Sequence, residues 1–352
     1  MKRSVLLNWL PFENTATGAA RRAIELHGRI AGEFLISAAV TEGFPAETAP
    51  GIEKRNAAPT RSLRVRLSER SARFWNSIGT PDVWVTDTLP VPVFKGRTRT
   101  VLTVHDLRFL ANRRFLSLQR YLLLRSGMKT GLKRADAVIT VSEWIAEQIV
   151  SHYGIAREKL HVIPNAAASL PVSDCSGSPG REYILSVGHL EPRKDQKTLI
   201  RSFARIADTW NGDLVLAGRG ALLDELESLT RELGIASRVK FAGGVSDKEL
   251  SDLYAGCMCL VCPSVYEGFG MTILEGLNAG VQVIASDIPP HREVAGNAAM
   301  WFQPGNQKDL AEALMRFSDN RGGFSSEPGM KQAGKFRWED SAGKLAMLYR
   351  EL

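Results

Sequence analysis

Two glutamates with two glycines between them form the chemically richest segment of the sequence. Glu267 and Glu275 are eight residues apart, and Gly268 and Gly270 lie between them. A continuously apolar run before this segment predicts a buried strand, and the residues from Thr272 onward predict a helix. Glycine lets the backbone approach a ligand closely, and the start of a helix favours an anion such as phosphate. The segment therefore predicts a phosphate-binding loop, with Glu267 facing the ligand and Glu275 within reach of ribose hydroxyls.

The elements that position this loop alternate regularly in the second half of the chain. Strands are predicted at Tyr183–Val187, Leu214–Ala217, Val239–Phe241, Met258–Cys262 and Val281–Ala285. Helices are predicted at Thr198–Thr209, Ala221–Leu233, Asp247–Ala255, Thr272–Ala279 and Asn306–Ser318. This alternation predicts a parallel sheet covered by helices on both faces. Because ligands of such sheets bind beyond the carboxyl ends of the strands, the loop after Cys262 is well placed for a site.

The first half of the chain predicts a second α/β unit. Strands are predicted at Ser4–Leu10, Phe34–Val40, Val83–Thr86, Thr100–Val104, Ala137–Val141 and Val162–Pro164. Helices are predicted at Gly18–Ile30, at 116–134 and from the Ser142 cap to Tyr153, with 60–78 helical or irregular. Residues 166–181 are rich in Ser, Gly and Pro and predict a linker, which puts the domains at 1–165 and 182–334. Residues 335–352 predict a helix that packs back onto the first domain.

The length and composition exclude several classes of protein. The chain has 352 residues, of which 44% are hydrophobic and 24% charged, and these values suit two soluble α/β domains. No run approaches the roughly 18 apolar residues that a transmembrane helix requires. The apolar run near the N-terminus is short and no small-residue cleavage site follows it, so it predicts a buried strand and not a signal peptide. We therefore expect a cytoplasmic protein.

The cysteines predict neither a disulfide framework nor a metal site. Cys257, Cys259 and Cys262 lie in a continuously apolar stretch without a nearby fourth ligand, as in a buried strand. No Asp-x-Asp pair stands at the end of a predicted strand. We therefore expect buried thiols and no metal or other cofactor.

Positive charge is concentrated in the first half of the chain. The net charge is +7, and residues 1–150 hold 23 Lys and Arg against 13 Asp and Glu, whereas the remainder holds 22 against 25. This asymmetry predicts an anionic partner for the first half, such as a membrane surface or a lipid-diphosphate acceptor. A basic surface that is merely solvated stays open as an alternative. No nucleic-acid-binding motif is present, so no nucleic acid partner is expected.

The loop sequence Glu267-Gly268-Phe269-Gly270-Met271-Thr272-Ile273-Leu274-Glu275 resembles glycosyltransferase family 4, a large retaining family with the GT-B fold. The resemblance extends to residues 186–195, 214–218, 239–243 and 280–286, and more weakly to 103–107, 137–142 and 162–165. It implies an α/β protein of the GT-B class, with two Rossmann-like domains whose parallel sheets face across a cleft. It further implies a nucleotide-sugar donor, which the second domain binds, and an acceptor, which the first domain binds.

The resemblance also implies roles for individual residues. Glu275 would bind the donor ribose, and Glu267 would hold the transferred sugar near its reacting carbon. The implied donor-binding residues are Gly18, Gly188, Gly268, Phe269, Gly270, Met271, Thr272 and Glu275. For Gly18 a simple helix cap is the alternative. His105, at the end of a predicted strand of the first domain, would face the donor sugar, although a hydrogen-bonded turn is the alternative for this residue.

Two cations would bind the donor diphosphate. Lys194 stands where the family has a lysine for this purpose, whereas His189 occupies the position of the family's second cation. Either Arg193 or His189 itself would replace that cation, and the motif Leu190-Glu191-Pro192-Arg193-Lys194 favours Arg193. Charge collects on the diphosphate as it leaves, so fixed cations and helix N–H groups lower the barrier without a metal. The family mechanism implies attack from the same face, with the departing phosphate taking the acceptor proton.

The donor and the acceptor are expected from the same resemblance. GDP-mannose is the first expectation for the donor and a UDP-sugar the second. The acceptor is expected to be a glycan or lipid-linked molecule of bacterial surface polysaccharide or lipopolysaccharide synthesis, at the inner face of the plasma membrane. The candidate membrane-contacting segment is 108–134, whose basic residues are Arg108, Arg113, Arg114, Arg120, Arg125, Lys129, Lys133 and Arg134.

Three other classes of protein have a doubly wound sheet or the GT-B architecture. A nucleotide-sugar epimerase has the GT-B architecture but lacks the segment from Glu267 to Glu275. A dinucleotide-dependent dehydrogenase requires G-x-G-x-x-G after a strand, and Gly218-Arg219-Gly220 lacks the third glycine. A non-catalytic partner subunit that binds a nucleotide-sugar without turnover stays open as the alternative. The presence of Glu267, Lys194 and Glu275 favours the enzyme.

Overall fold

The computed structural model describes residues 2–12, 17–42, 44, 49–60, 62–94, 96–168, 170–171 and 182–352. The chain divides into two compact units. Unit 1 comprises Met1–Asn165 and Arg337–Leu352, and unit 2 comprises Ala166–Phe336. Of the predicted linker at 166–181, all but residues 166–168 and 170–171 lie outside the described residues.

Each unit has a set of strands along the described chain. Those of unit 1 are β1 (Ser4–Asn8), β2 (Leu35–Thr41), β3 (Glu53–Ala58), β4 (Val83–Thr86), β5 (Arg99–Val104), β6 (Ala137–Thr140) and β7 (Leu160–Val162). Those of unit 2 are β8 (Tyr183–Val187), β9 (Asp213–Ala217), β10 (Val239–Gly243), β11 (Cys259–Cys262), β12 (Gln282–Ser286) and β13 (Ala299–Phe302).

Helices alternate with these strands. In unit 1 they begin with α1 (Gly18–Ile30), α2 (Leu63–Ser68), α3 (Ala72–Ile78), α4 (Arg108–Ala111), α5 (Leu118–Arg134) and α6 (Glu143–Tyr153). Unit 2 contributes α7 (Gln196–Ile206), α8 (Leu223–Glu232), α9 (Asp247–Gly256), α10 (Met271–Asn278), α11 (Pro289–Ala295), α12 (Gln307–Asp319) and α13 (Glu327–Ala333). The last helix, α14 (Trp338–Glu351), returns to unit 1.

Both sheets are parallel throughout their described pairings, as the alternation of strands and helices predicted. The order is β3-β2-β1-β4-β5-β6-β7 in unit 1 and β10-β9-β8-β11-β12-β13 in unit 2. In unit 2 the strand order reverses between β8 and β11. Loops that leave neighbouring strands in opposite directions open a crevice at such a point, which is where open α/β sheets bind ligands.

Central strands owe their position to continuous apolar sequence. The strands β9 and β11 are buried along their whole length, with Leu214, Leu216, Leu260 and Val261 almost inaccessible to solvent. Helices on both faces cover such strands, so every side chain meets an apolar neighbour. The core therefore holds the carboxyl ends of β8 and β11 in fixed register, because Ile184 and Leu185 pair with Cys259 and Leu260.

Five elements escaped the sequence prediction because their residues carry weak patterns, and the four-residue helix α4 is one of them. The strand β3, with the sequence Glu-Lys-Arg-Asn-Ala-Ala, lies at the edge of its sheet, where charged residues are common. The helix α11 begins with Pro289 and Pro290, which the first turn of a helix tolerates. The strand β13 and the helix α13 are short elements that no prediction covered.

The helix α14 packs against α1 inside unit 1. The hydroxyl of Tyr349 lies 2.9 Å from Nε2 of His27, and Arg3 donates a 2.8 Å hydrogen bond to the Tyr349 carbonyl. Ser341 donates to the carbonyl of Pro164, close to the point where the chain leaves unit 1. The segment predicted to return to the first domain therefore forms part of the core of unit 1.

Among the described helices, none is long and apolar enough to cross a membrane.

Candidate functional site

The loop between β11 and α10 is shaped by the end of a buried strand and by a glycine. Gly270 has a φ of +116° and is the residue before the first turn of α10, a conformation that side chains other than that of glycine rarely adopt. A Cβ at this position would lie 3.3 Å from Cδ2 of His291. The loop therefore turns tightly over His291 and presents Glu267 at the carboxyl edge of the sheet.

Glu267 is the centre of a cluster of charges. Its Oε1 accepts a 2.9 Å hydrogen bond from the Ser264 hydroxyl and lies 2.6 Å from Nζ of Lys194. Its Oε2 lies 2.5 Å from Nη1 of Arg193. Glu267 is only 9% exposed, so these contacts replace most of its hydration. The structure thus joins three of the predicted catalytic residues in one buried ion cluster, Arg193–Glu267–Lys194.

The cluster keeps Glu267 ionised. Burial alone would raise the pKa of this carboxyl, but the positive charges of Lys194 and Arg193 outweigh burial and hold the pKa well below its usual range. The carboxylate is therefore negative throughout the physiological pH range. Both cations already have an anionic partner, and an incoming phosphate has to compete with it.

The loop after β8 positions the two cations. A 3₁₀ turn at Pro192–Lys194 is followed by Asp195, whose φ of 49° is left-handed, and α7 then begins at Gln196. Arg193 also contacts Oε1 of Glu191 at 2.7 Å, and its carbonyl accepts a 2.8 Å hydrogen bond from the backbone N–H of Val265. This last bond ties the β8 loop to the β11 loop.

His189 and Arg193 are not equivalent in the structure. His189 is exposed, and its Nδ1 lies 3.4 Å from the carbonyl of Arg219. Arg193 instead lies beside Lys194 in the ion cluster. Arg193, and not His189, is therefore the cation that joins Lys194 beside Glu267, and its role toward a diphosphate stays a prediction.

The buried residue His291 packs beneath the loop between β11 and α10, and it was not predicted from the sequence. The Nδ1 of His291 lies 3.0 Å from the carbonyl of Ser286, and the Ser286 hydroxyl donates to the carbonyl of Ser264. Burial lowers the pKa of His291 to about 4, so the ring is neutral at physiological pH. His291 lies on α11, which was not predicted, and no short motif links it to Glu267.

A buried tyrosine fixes the second glutamate. The Tyr254 hydroxyl donates a 2.9 Å hydrogen bond to Oε2 of Glu275, which is half-buried on α10. Burial and the neighbouring carboxylate raise the pKa of Tyr254 well above its ordinary value, so this hydroxyl remains a donor. One oxygen of Glu275 is thus oriented by α9. Sequence reasoning missed Tyr254 because it lies 21 residues before Glu275 and in another helix.

The remaining predicted residues of unit 2 lie around the same edge. Gly188 has a φ of +147°, and a Cβ there would lie 3.3 Å from Cε of Lys194. Met271 and Thr272 form the first turn of α10, and Phe269 is buried with its ring 5.7 Å from that of Phe336. Gly268 follows Glu267 in the loop. All of these residues border the loops after β8 and β11.

Two predicted residues belong to unit 1. Gly18 is the first residue of α1, whose N-terminus is capped by the hydroxyl of Thr17. His105 follows β5, and its Nε2 lies 3.0 Å from Oδ2 of Asp87. Burial would raise the pKa of Asp87, but the charge and hydrogen bond of His105, together with Thr103, lower it. Asp87 was not predicted, because only the fold brings the ends of β4 and β5 together.

The arrangement in unit 2 is suited to binding an anion. The guanidinium group of Arg193, the ammonium group of Lys194 and the N–H groups of the first turn of α10 lie at one sheet edge. Both the cations and the helix N–H groups attract phosphate. Within the described part of the chain, no group of three or more His, Cys, Asp or Glu side chains lies close enough to hold a metal ion. Cys257, Cys259 and Cys262 are unbridged thiols, and burial raises the pKa of Cys262 to about 12.

Each half of the chain matches the model of a known protein family. Residues 18–167 match the family described as Glycosyltransferase Family 4, and residues 176–335 match Glycosyl transferases group 1. The chain is 31% identical over 226 residues to the O-antigen chain mannosyltransferase RfbU of Salmonella typhimurium. The match covers 64% of this chain and 61% of RfbU, so less than two thirds of that relative's length is spanned.

Solved structures share the fold over the whole chain. A sucrose-phosphate synthase from Thermosynechococcus elongatus gives a TM-score of 0.80 at 20% identity and covers 99% of both chains. Anabaena HepE in complex with UDP and glucose gives a TM-score of 0.78 at 18% identity, covering 99% of this chain and 100% of HepE. At such low identity these likenesses show the fold alone, and the predicted α/β class with two Rossmann-like units is confirmed.

Proposed function

Because the chain belongs to the GT-B glycosyltransferases, with a family 4 domain and a group 1 domain in succession, we propose that it transfers a hexose from a nucleotide-sugar with retention of anomeric configuration. The observation that carries this proposal is the buried Arg193–Glu267–Lys194 cluster at the carboxyl ends of β8 and β11. Lys194 and Glu267 line one pocket together with Gly270 and Thr272, and the combination of cations with the start of a helix supports a diphosphate site there.

The proposed roles follow the chemistry of each group. Lys194 and Arg193 bind the diphosphate and stabilise the charge that collects on it as the sugar leaves. Glu267 and the backbone of the loop then hold the sugar, and Glu275, oriented by Tyr254, binds the ribose. Fixed cations do the work that a metal does in other transferases, so we propose that no metal is needed. The departing phosphate accepts the acceptor's proton.

The proposed donor is GDP-mannose, and the likeness to RfbU, a mannosyltransferase of the O-antigen chain, supports it. The fold shared with HepE, whose structure contains UDP and glucose, supports a UDP-sugar as the second choice. The proposed acceptor is a glycan or lipid-linked molecule of bacterial surface polysaccharide or lipopolysaccharide synthesis. The proposed acceptor rests on the likeness to RfbU, because the name of that relative places it in O-antigen synthesis.

Thermal unfolding of the purified protein with GDP, UDP, ADP and their sugars tests the donor site. We expect one nucleotide family to raise the melting temperature, since a ligand at one hundred times its Kd stabilises the folded state by about 2.7 kcal/mol. The shift should persist in EDTA, disappear in Glu275→Ala and remain in the matched variant Glu312→Ala, whose carboxylate is exposed on α12. No shift from any nucleotide would contradict the proposal.

Transfer itself separates the enzyme from the non-catalytic alternative. Incubation with the donor that binds and a lipid-linked acceptor extract should release nucleoside diphosphate, and an NMR spectrum of the product should show the donor's anomeric configuration. Binding without release of diphosphate, in the presence of extract from cells that make the polymer, would favour a partner subunit. An inverted product would overturn the proposed mechanism.

We further propose that the basic–leucine surface contacts an anionic membrane. This surface consists of exposed residues of α4, α5 and the turn between them: Leu110, Arg113, Arg114, Leu118, Arg120, Leu122, Leu123 and Arg125. Leucines can enter the headgroup region while each arginine gains about 1 kcal/mol near anionic lipid. The charge and the apolar side chains on one segment thus match a lipid surface.

Cosedimentation with vesicles tests the membrane proposal. Wild-type protein should sediment with vesicles that contain phosphatidylglycerol and much less with phosphatidylcholine alone. The triple variant Arg113→Glu, Arg114→Glu and Arg120→Glu should lose at least about tenfold in vesicle binding. The control variant Arg64→Glu, Arg70→Glu and Arg73→Glu has the same net charge as this triple variant. Its substitutions are at exposed residues of α2, α3 and their connection. Equal binding of both variants would contradict the proposal.

A further inference from the structure

The loops after β8, β9 and β10 form a continuous surface of backbone, which we call the glycine surface and define as Gly188, Gly218, Gly220, Gly243 and Gly244. A Cβ on Gly218 would lie 1.9 Å from the carbonyl oxygen of Gly188, and one on Gly220 would lie 2.2 Å from that of Leu190. The N–H of Gly218 donates a 2.7 Å hydrogen bond to the carbonyl of Gly243. The three loops are therefore in direct contact and leave no room for side chains between them.

The glycine surface begins at one cation of the ion cluster. A Cβ on Gly188 would lie 3.4 Å from Nζ of Lys194, so the ammonium group rests against this glycine. From there the surface passes through Gly218 to Gly244. Backbone therefore forms the path that leads away from the Lys194 ammonium group toward Gly244.

Arg219 lies at the other end of the glycine surface. A Cβ on Gly244 would lie 2.7 Å from Nε of Arg219, so the guanidinium covers this glycine. The backbone of Arg219 is fixed, because its carbonyl accepts a 3.0 Å hydrogen bond from Leu190. The side chain is exposed and, within the described residues, its guanidinium makes no hydrogen bond or ion pair. Its donors are thus available to a ligand.

We infer that Arg219 recognises the nucleobase of the donor and selects guanine. This inference rests on the proposed function, since it takes the donor diphosphate to be bound by Lys194 and Arg193. Guanine carries two neighbouring acceptors, O6 and N7, which match the paired donors of a guanidinium. Adenine replaces the first acceptor by a donor, and uracil offers a lone carbonyl at that edge. The fixed backbone and the missing side chain at Gly244 hold the arginine ready for this contact.

Equilibrium binding of GDP, UDP and 7-deaza-GDP to the full chain tests the inference by calorimetry. The analogue lacks the N7 acceptor and is otherwise guanine. Wild-type protein should bind GDP more tightly than 7-deaza-GDP. Arg219→Ala should weaken GDP binding roughly 10- to 100-fold, should leave UDP binding within about twofold, and should bind GDP and 7-deaza-GDP alike.

Two further variants sharpen the test. Gly244→Ala should repeat the loss of GDP affinity, because the new Cβ displaces the guanidinium while the charge is kept. Arg231→Ala removes an exposed arginine from the last turn of α8 and should change neither nucleotide's affinity. Melting temperatures of the variants, taken without ligand, show that each is folded.

The outcomes distinguish this inference from the proposed function. If Arg219→Ala weakens GDP and UDP equally, the arginine acts on the phosphates and the inference is overturned, while the donor site stands. If wild-type protein binds GDP and 7-deaza-GDP equally, guanine is not recognised through N7 and the inference is overturned as well. If wild-type protein binds neither GDP nor UDP, the proposed function falls together with it.

Discussion

Glu267→Gln is expected to lose transfer activity and yet bind nucleoside diphosphates more tightly. The carboxylate of Glu267 is the anionic partner of both Lys194 and Arg193 in the buried cluster. A diphosphate has to attract the same cations in the presence of that negative charge. Removal of the charge while the shape is kept should strengthen diphosphate binding about tenfold, because a nearby like charge is gone.

The same substitution removes a group that acts on the transferred sugar, so the rate of transfer should fall roughly 100- to 1,000-fold. The variant without ligand should also be less stable, by about 3 kcal/mol, because two mostly buried cations lose the carboxylate that they share, and only Arg193 keeps a second one, that of Glu191. Calorimetric titration with GDP and UDP, thermal unfolding and an assay of diphosphate release measure the three effects separately.

Glu191→Gln is the matched control for this prediction. Glu191 contacts Arg193, one of the two cations of the cluster, at 2.7 Å. Glu191→Gln should strengthen diphosphate binding less than Glu267→Gln does, and it should leave the rate of transfer largely unchanged. A Glu267→Gln variant that binds diphosphates more weakly than wild-type protein would show that the carboxylate helps to hold the donor, and the competition argued above would be wrong.

Gly218→Ala is expected to cause the largest loss of stability in unit 2. Gly218 has a φ of +150°, and the added Cβ would lie 1.9 Å from the carbonyl oxygen of Gly188. Backbone atoms cannot swing aside as a flexible side chain can. Strain and displacement of the β8 loop should together lower the free energy of unfolding by about 3 kcal/mol or more. Because that loop carries Lys194, diphosphate binding should weaken too.

Gly234→Ala separates the effect of backbone strain from the effect of displacing the β8 loop. Gly234 also has a left-handed φ, of +70°, but no atom lies within 4 Å of the added Cβ. Its replacement introduces backbone strain alone and should cost about 1 kcal/mol with no change in diphosphate binding. Urea denaturation followed by tryptophan fluorescence compares the two variants. Equal losses of stability would mean that the close approach of the β8 and β9 loops contributes nothing.

Strongly patterned elements of the fold could be predicted from the sequence. The strand Tyr183–Val187 and the helix Gly18–Ile30 have the predicted bounds, because their apolar residues recur with a clear period and their ends carry caps or polar residues. The edge strand β3 was missed because one side of an edge strand needs no apolar neighbour. Helix α11 was missed because paired prolines usually indicate a loop.

For the candidate site, sequence reasoning found the residues within motifs and missed their long-range partners. Glu267 and Lys194 were identified by motif, and the structure adds that they are in direct contact. Tyr254 and His291 could not be identified, because a buried polar residue has no periodic signature and only the fold brings it to its partner. Gly218 was noted only within the family resemblance and in an incomplete dinucleotide-binding motif, and Gly244 carried no prediction.

Because α14 belongs to unit 1, the two units can complete their folding only in a fixed order as the chain emerges from the ribosome. Unit 2 is one continuous stretch of chain, whereas unit 1 is built from two stretches that flank it. His27 and Ser341, which hold parts of the same unit together, are translated before and after unit 2 respectively. Unit 2 therefore holds all of its own core as soon as Phe336 has left the exit tunnel. The first 165 residues are synthesised earlier, but the face of α1 that packs against α14 stays uncovered until Trp338 and Tyr349 have been synthesised.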